Sequence, residues 1–227
     1  LNLYIKNYPK PIIPILDGLC IGGGMGIAMH ASHRVITENA KLGMPECYIG
    51  FVPDVGAFYF LNKITREIGY YMAITGLSIS SDVAVHAGLG DYYIPHHKIN
   101  TVVEEMLEIK TSSDITAVLK KYEKAVEDAD IYTLLCNIFS SMDYKKIFAD
   151  IKSTNAPLEI DIINALTYAC PKSLEDTHYR FHHEFNFTLE EVLASDKAYA
   201  KELIFHKNFE EGVRALLIDR DRNPKWV

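Results

Sequence analysis

Gly22-Gly23-Gly24-Met25-Gly26 constrains this chain more than any other stretch. Backbone without Cβ atoms can pass close to another group, and glycines ahead of a helix can turn N–H groups toward negative charge. Two acidic motifs follow, Met44-Pro45-Glu46 and then Val52-Pro53-Asp54-Val55-Gly56, with Asp54 eight positions after Glu46. Amide donors combined with two carboxylates are the minimum set for acyl chemistry at a carbonyl. No acid stands at position 26. Taken alone, the glycine run reads as tight packing of a helix against a strand. It is not a P-loop, since no Gly-Lys-Ser/Thr follows, and Ile27 stands where the Rossmann fingerprint needs its last glycine.

Gly50 and Pro53 rule out one uninterrupted helix between the two acids, so both are expected at turns, where catalytic side chains often lie. An isolated Pro-Glu is ordinarily a solvated loop acid. Glu46 differs in its company of Leu42, Met44, Ile49 and Phe51. A carboxyl group in apolar surroundings holds its proton more tightly and can act as base or nucleophile near neutral pH. The histidines carry no such signal. His182-His183-Glu184 lacks the zinc spacing His-Glu-x-x-His, His96-His97 reads as a solvated helix start, and His30 and His33 read as structural. No metal is assigned, and Tyr70, Tyr71, Tyr92 and Tyr93 read as packing residues rather than a base-stacking platform.

A chain of 227 residues can build a sizeable core without staples. Its net charge of −7 argues against a general nucleic-acid binder, though not against a small anionic ligand. Cys20, Cys47, Cys136 and Cys170 are widely spaced and read as reduced thiols. No apolar run reaches membrane-spanning length, and Leu19 to Ala31 is interrupted by four glycines. The first residue is Leu1, with no signal or transit pattern, so the natural start is expected upstream.

Residues 1–95 hold most of the glycines and both acidic motifs. Strands are expected over 12–16, 34–37 and 91–94, with Pro14 making the first an edge or irregular strand. Helices are expected over 24–32, 57–63, 67–75 and 81–87, the last closed by Gly88. Residues 96–227 read as helical, with Leu158, Ile162, Ala165, Leu166 and Ala169 at helical spacing. Thr188-x-x-Glu191 is a capping box, Ser173-x-x-Asp176 a weaker start signal, and 128–130 and 154–157 are expected breaks.

In order along the chain come Lys10-Pro11, Asp17-Gly18, the glycine run, Met44-Pro45-Glu46, Ile49-Gly50, Pro53-Asp54-Val55-Gly56, Thr75-Gly76 and Ala87-Gly88-Leu89. With Phe209 to Ala215 and the tail Pro224-Lys225-Trp226, this resembles the crotonase (enoyl-CoA hydratase/isomerase) superfamily over nearly the whole chain. The resemblance implies an α/β, crotonase-like (ClpP/crotonase) spiral core over 1–95 lacking its first strands, with a helical C-terminal region of the same fold over 96–227. Hydratases of the superfamily carry a second catalytic Glu where Gly26 stands, and usually a Gly where Asp54 stands. The pattern here is similar to the 3-hydroxyisobutyryl-CoA hydrolase branch.

That branch implies hydrolysis of a short 3-hydroxyacyl-CoA, 3-hydroxyisobutyryl-CoA to 3-hydroxyisobutyrate and CoA, in valine catabolism and in mitochondria. It implies no cofactor beyond the CoA of the substrate, no nucleic-acid or membrane partner, and leaves a homo-oligomer open. Carried over by position, Glu46 and Asp54 are catalytic, and Gly22 and Gly23 form the oxyanion and substrate-binding turn, the Gly23 N–H being one of two donors. The other donor and much of the CoA adenine loop are expected upstream of Leu1. Ala57-Phe58 replaces glycines usual after the second motif; Phe58 narrows the acyl pocket or fills a gap. Two other readings stand: a non-catalytic scaffold of the same fold, and an enoyl-CoA isomerase, which needs one acid and leaves Asp54 unexplained.

Overall fold

The computed structural model describes residues 1–127 and 130–227. Six short strands form two small sheets. β1 (Ile15–Leu16), β3 (Val35–Ile36) and β6 (Tyr92–Tyr93) lie parallel in the order β1-β3-β6. β2 (Leu19–Ile21) runs parallel to β4 (Lys41–Gly43), which pairs antiparallel with β5 (Ile79–Ser80). β1 is the edge strand expected from Pro14, although the pairing reaches only Ile15 and Leu16. β2 is also an edge, and a groove of about 500 Å³ lies over both, lined by Pro14, Leu16, Leu19, Cys20, Gly24 and Ile27.

Helices α1 (Asn2–Lys6), α2 (Gly23–Ala28), α3 (Ala57–Leu61), α4 (Arg66–Thr75) and α5 (Ser81–Ala87) pack among these strands. α5 has its expected bounds, and Gly88 closes it in the left-handed conformation. α2 stops at Ala28, short of the expected Ser32. There the chain is drawn off to Ile12: Ser32 N–H donates to Ile12 O at 3.1 Å, and Ile12 N–H to Ser32 Oγ at 3.2 Å. The Leu19 and Lys41 strands were absent from the expectation because a two- or three-residue strand leaves no alternation to read.

Beyond β6 the described residues contain helices and no strand. These are α6 (Ile99–Glu108), α7 (Asp114–Tyr122), α8 (Asp130–Ile138), α9 (Tyr144–Ile151), α10 (Pro157–Tyr168), α11 (Pro171–His183), α12 (Leu189–Leu203) and α13 (Lys207–Val213). α10 begins at Pro157 as the expected break requires, while the break over 128–130 falls largely outside the described residues. α12 opens with the full capping box, Thr188 Oγ1 accepting from Glu191 N–H and the Glu191 carboxylate accepting from Thr188 N–H. Ser173 starts no helix. It lies within the first turn of α11, which starts at Pro171, where the missing N–H costs nothing.

One apolar core joins both stretches, from Leu16, Ile36, Leu42 and Phe58 through Tyr70 and Met72 to Phe139, Ile162, Phe181 and Val192. Tyr70 and Tyr71 are core residues, as expected, with Tyr70 set edge-on against Phe139 and Phe181. A smaller cluster of Val35, Ile94, Val102, Ile115 and Leu119 fixes α6 and α7 over the outer face of β3 and β6. Among the described residues no helix is long and apolar enough to cross a membrane.

The C-terminal segment closes on the turn that follows β4. A Cβ on Gly212 would lie 2.4 Å from Ile49 C, and one on Gly50 would lie 2.3 Å from Asn208 O. Asn208 in turn exchanges two hydrogen bonds with Val227, and the Trp226 indole N–H donates to Tyr168 O at 3.0 Å. Arg214 ties the same tail together through Glu211, Asp219 and Asp221. Gly212→Ala is therefore expected to cost about 1–3 kcal/mol by overpacking. For a chain of this size that is a fall of roughly 2–4 °C in melting temperature per kcal/mol. An unchanged melting curve would mean that α13 does not lie against the Ile49 turn.

Candidate active site

Glu46 opens a single 3₁₀ turn, Glu46–Ile49, that Pro45 precedes and Gly50 ends in the left-handed conformation. Four residues suffice to turn the chain and leave the side chain pointing back toward the glycine run. A Cβ on Gly22 would lie 2.7 Å from Glu46 Oε1, so only glycine leaves this carboxylate its place. Gly22 also has φ +52, a conformation other residues adopt at a cost. Its N–H is engaged with Gly43 O at 3.0 Å, so Gly22 borders the site through the space it leaves. Gly23 and Gly24 are exposed in the first turn of α2, where amides have no partner within the helix.

The second oxygen of Glu46, Oε2, is buried without a hydrogen-bond partner. Burial pushes the Glu46 carboxyl up to about 8, its own backbone bond pulls it back, and the charge of Asp54 adds to the rise. Asp54 is pushed up to about 6, first by burial and then by Asp196, while Arg180 opposes the rise. The charge of Asp54 is thus felt at Glu46, while Asp54 itself answers first to burial, Asp196 and Arg180.

Position 26 is closed. A Cβ on Gly26 would fall 2.5 Å from both Cβ and Cγ2 of Val55 and 3.0 Å from Asn2 Nδ2. Val55 holds this place in a strained backbone, φ +54, and its carbonyl accepts from Asn2 Nδ2 at 2.7 Å and bonds His30 Nε2 at 2.9 Å. His30 is buried, with Nδ1 left unpartnered, and burial pulls its pKa down, so it serves Val55 as a neutral ring. Phe58 is wholly buried beneath the Arg180 guanidinium at 4.4 Å, and so fills core rather than a pocket wall.

The remaining candidates stand apart. Cys20 approaches Gly24, and burial raises its thiol to about 11, which leaves it unreactive at neutral pH. Cys47 is buried and its thiol is pushed upward by burial and then by Glu46. His96 pairs with Asp17 at 2.7 Å at the surface, and Glu184 binds Arg180 rather than a metal. Among the described residues no group of His, Cys, Asp and Glu could hold a metal ion. The expectation omitted Arg180 and Asp196, although both are charged residues at buried helical positions: Arg180 follows Leu174 and Thr177, and Asp196 follows Val192.

The sequence matches the model of the enoyl-CoA hydratase/isomerase family over residues 1–227. The chain belongs to that family. It is 31% identical to rat "3-hydroxyisobutyryl-CoA hydrolase, mitochondrial" and 29% identical to the human protein of that name, each over 236 aligned residues. Both alignments cover 100% of the chain and 61% of the relative, so the chain spans about three-fifths of these curated relatives. Its structure resembles that of an enoyl-CoA hydratase from Rhodobacter sphaeroides 2.4.1, with TM-score 0.87 and 28% identity, over 99% of this chain and 65% of the other. A carnitinyl-CoA dehydratase from Mycobacterium thermoresistibile gives TM-score 0.85 at 28% identity, again over 99% of this chain and 65% of the other. The crotonase-like α/β fold expected from the motifs is the one observed.

Burial of Glu46 has a cost that pH reveals. Its folded pKa of about 8 lies above the ordinary carboxylate value, so the folded state binds the extra proton. The stability that proton confers is full at low pH and is lost as pH rises toward the folded value. Glu46→Gln, which cannot ionise, is expected to melt higher than the parent at pH 8 and nearly level with it at pH 4.5. Equal melting temperatures at pH 8 would mean that the carboxylate is not desolvated.

Proposed function

We propose that this chain carries the catalytic acids of an acyl-CoA thioester hydrolase acting on a short 3-hydroxyacyl group, of which 3-hydroxyisobutyryl-CoA is the leading candidate. One observation carries this reading: Glu46 presents a buried, unpartnered oxygen beside the Gly22 turn, within the field of Asp54. A structural acid would have both oxygens satisfied. The names of the relatives support the substrate, and their designation as mitochondrial supports a mitochondrial setting.

In this reading the Gly23 N–H receives the thioester oxygen as it gains negative charge, a type of contact worth about 10²–10³ in rate. Two routes use Glu46 from there. In one, a Glu46 oxygen adds to the thioester carbon, the C–S bond breaks, and the thiolate leaves a mixed anhydride that water cleaves. In the other, Glu46 takes a proton from water as the water oxygen adds to that carbon. The tetrahedral intermediate then expels the thiolate, which receives the proton. Asp54 orients the substrate hydroxyl or assists the proton transfer. Heavy oxygen entering Glu46 over repeated turnovers in labelled water identifies the first route with water adding at the Glu46 carbon; without label, capture of the anhydride by hydroxylamine separates addition at the acyl carbon from the second route.

Both routes need ionised Glu46, so the rate is expected to rise with pH toward a midpoint near 8. The test is thiol release from 3-hydroxyisobutyryl-CoA by this chain and by an extended chain that spans the full length of its relatives. Glu46→Gln is expected to lose about 10²–10⁴ in rate, as removal of an acid–base group does. Release that survives Glu46→Gln, or none from the folded extended chain, would move the reading to a scaffold or an isomerase.

Gly26 separates this reading from a hydratase. The second hydratase acid is absent here, and Val55 also fills the room that it would need. Gly26→Glu is expected to gain no hydration of an enoyl-CoA and to lose stability by about 1–3 kcal/mol. Hydratase activity in that variant would show the Val55 loop to be freely displaceable.

A further inference from the structure

The loop that carries Asp54 is held at Pro53, Val55 and Gly56 by groups far away in sequence. Pro53 O accepts from Arg180 Nη1 at 3.4 Å. Asp54 O accepts from Ala57 N–H at 2.9 Å, and Val55 O meets Asn2 and His30. Gly56 N–H donates to Asp196 Oδ2 at 2.8 Å. Behind the loop, Arg180 donates to Asp196 Oδ1 at 2.6 Å and to both oxygens of Glu184, at 2.6 and 3.0 Å. Ser195 adds a further donor to Glu184 at 2.6 Å. Arg180 is 0% exposed, Glu184 2% and Asp196 8%.

Charges so deeply buried are a poor way to join two helices. Removing each from water costs several kcal/mol, and apolar residues of similar volume usually join helices at least as well. Here the charged groups do what apolar residues could not, since they present a donor to Pro53 O and an acceptor to Gly56 N–H. The two contacts bracket Asp54, and between them Val55 is kept at φ +54. A strained residue persists where its surroundings over-determine it.

We propose that Asp196 and Arg180 are positioning residues for the reaction: bonded to each other, they grip the peptide groups on either side of Asp54 and so fix its carboxylate relative to Glu46. This rests on the hydrolase reading for its chemistry, but not for its geometry. The grip also keeps the Val55 side chain against Gly26. One device therefore presents the acid of the hydrolase branch and shuts out that of the hydratases.

The charged groups acting on Asp54 are Asp196 from α12 and Arg180 from α11, with Glu46 of the 3₁₀ turn in its field and Glu184 behind Arg180; His30 approaches behind Val55. Asp196→Asn removes a negative charge and leaves Arg180 less compensated, and both changes favour ionised Asp54. The first measurement is the titration of Asp54, followed by carboxyl-carbon NMR in the folded protein without substrate. Its midpoint is expected to move down from about 6 in Asp196→Asn. An unmoved midpoint in the folded variant would overturn the proposal.

The second measurement is a double-mutant cycle in the thiol-release assay. Asp196→Asn is expected to lower kcat on the order of 10–10²-fold, the scale of a misplaced catalytic group, with much less change in KM. In an Asp54→Asn background the same substitution is expected to change kcat by less than about twofold, because the group it positions is gone. Equal losses in both backgrounds would mean general support of the fold, and the proposal would fall. If circular dichroism shows that Asp196→Asn does not fold, Arg180→Lys, which keeps the charge and loses the fork, is read by the kcat cycle alone. If the parent chains release no thiol, the hydrolase reading fails by itself, and amide hydrogen exchange at Gly56 decides the geometric proposal: exchange no faster in folded Asp196→Ala than in the parent would overturn it.

Discussion

Keeping the Glu46 carboxylate out of water is the constraint on which the other features depend. The site needs backbone on one side, so that no side chain displaces the acid, and apolar packing on the other, so that water does not. Gly22 supplies the first, with its absent Cβ 2.7 Å from Glu46 Oε1. Met44 and Cys47, both fully buried beside the acid in sequence, contribute to the second. An acid treated in this way destabilises the protein at neutral pH, and its surroundings must be stiff enough to bear that. The stiffness comes from backbone-to-backbone contacts at Gly50 and Gly212, which permit no side chain between the Glu46 turn and α13.

Much of this was legible along the chain wherever the cause is local. The Pro45 and Gly50 boundaries of the Glu46 turn, the Gly88 end of α5 and the Thr188 capping box all follow from what a few consecutive residues can do. Local reading failed at Ser32 and Ser173. Ser32 is engaged by Ile12, twenty residues away, and Ser173 lies behind the stronger start signal of Pro171. It also failed for strands of two or three residues, whose existence depends on partners and not on pattern.

The two acids were legible because proline and glycine mark their turns; the apparatus behind them was not. Gly56 and Asp196 are 140 positions apart, and Pro53 and Arg180 are 127 apart. No local rule links them. What sequence does offer is a misfit, a charged residue on the apolar face of each of two helices, and such misfits are where functional constraints override packing.

The lock between the Glu46 turn and the C-terminal segment has a consequence for the order in which the molecule is made. Residues 46–50 leave the ribosome long before their partners at 208–212, and Asn208 pairs in turn with Val227. Synthesis at about 5–20 residues per second leaves the nascent chain for many seconds without that closure. Until then the Glu46 turn lacks the α13 backbone that packs against Ile49 and Gly50. The buried surroundings of Glu46 are therefore completed late, after the segment that packs behind its turn has been made.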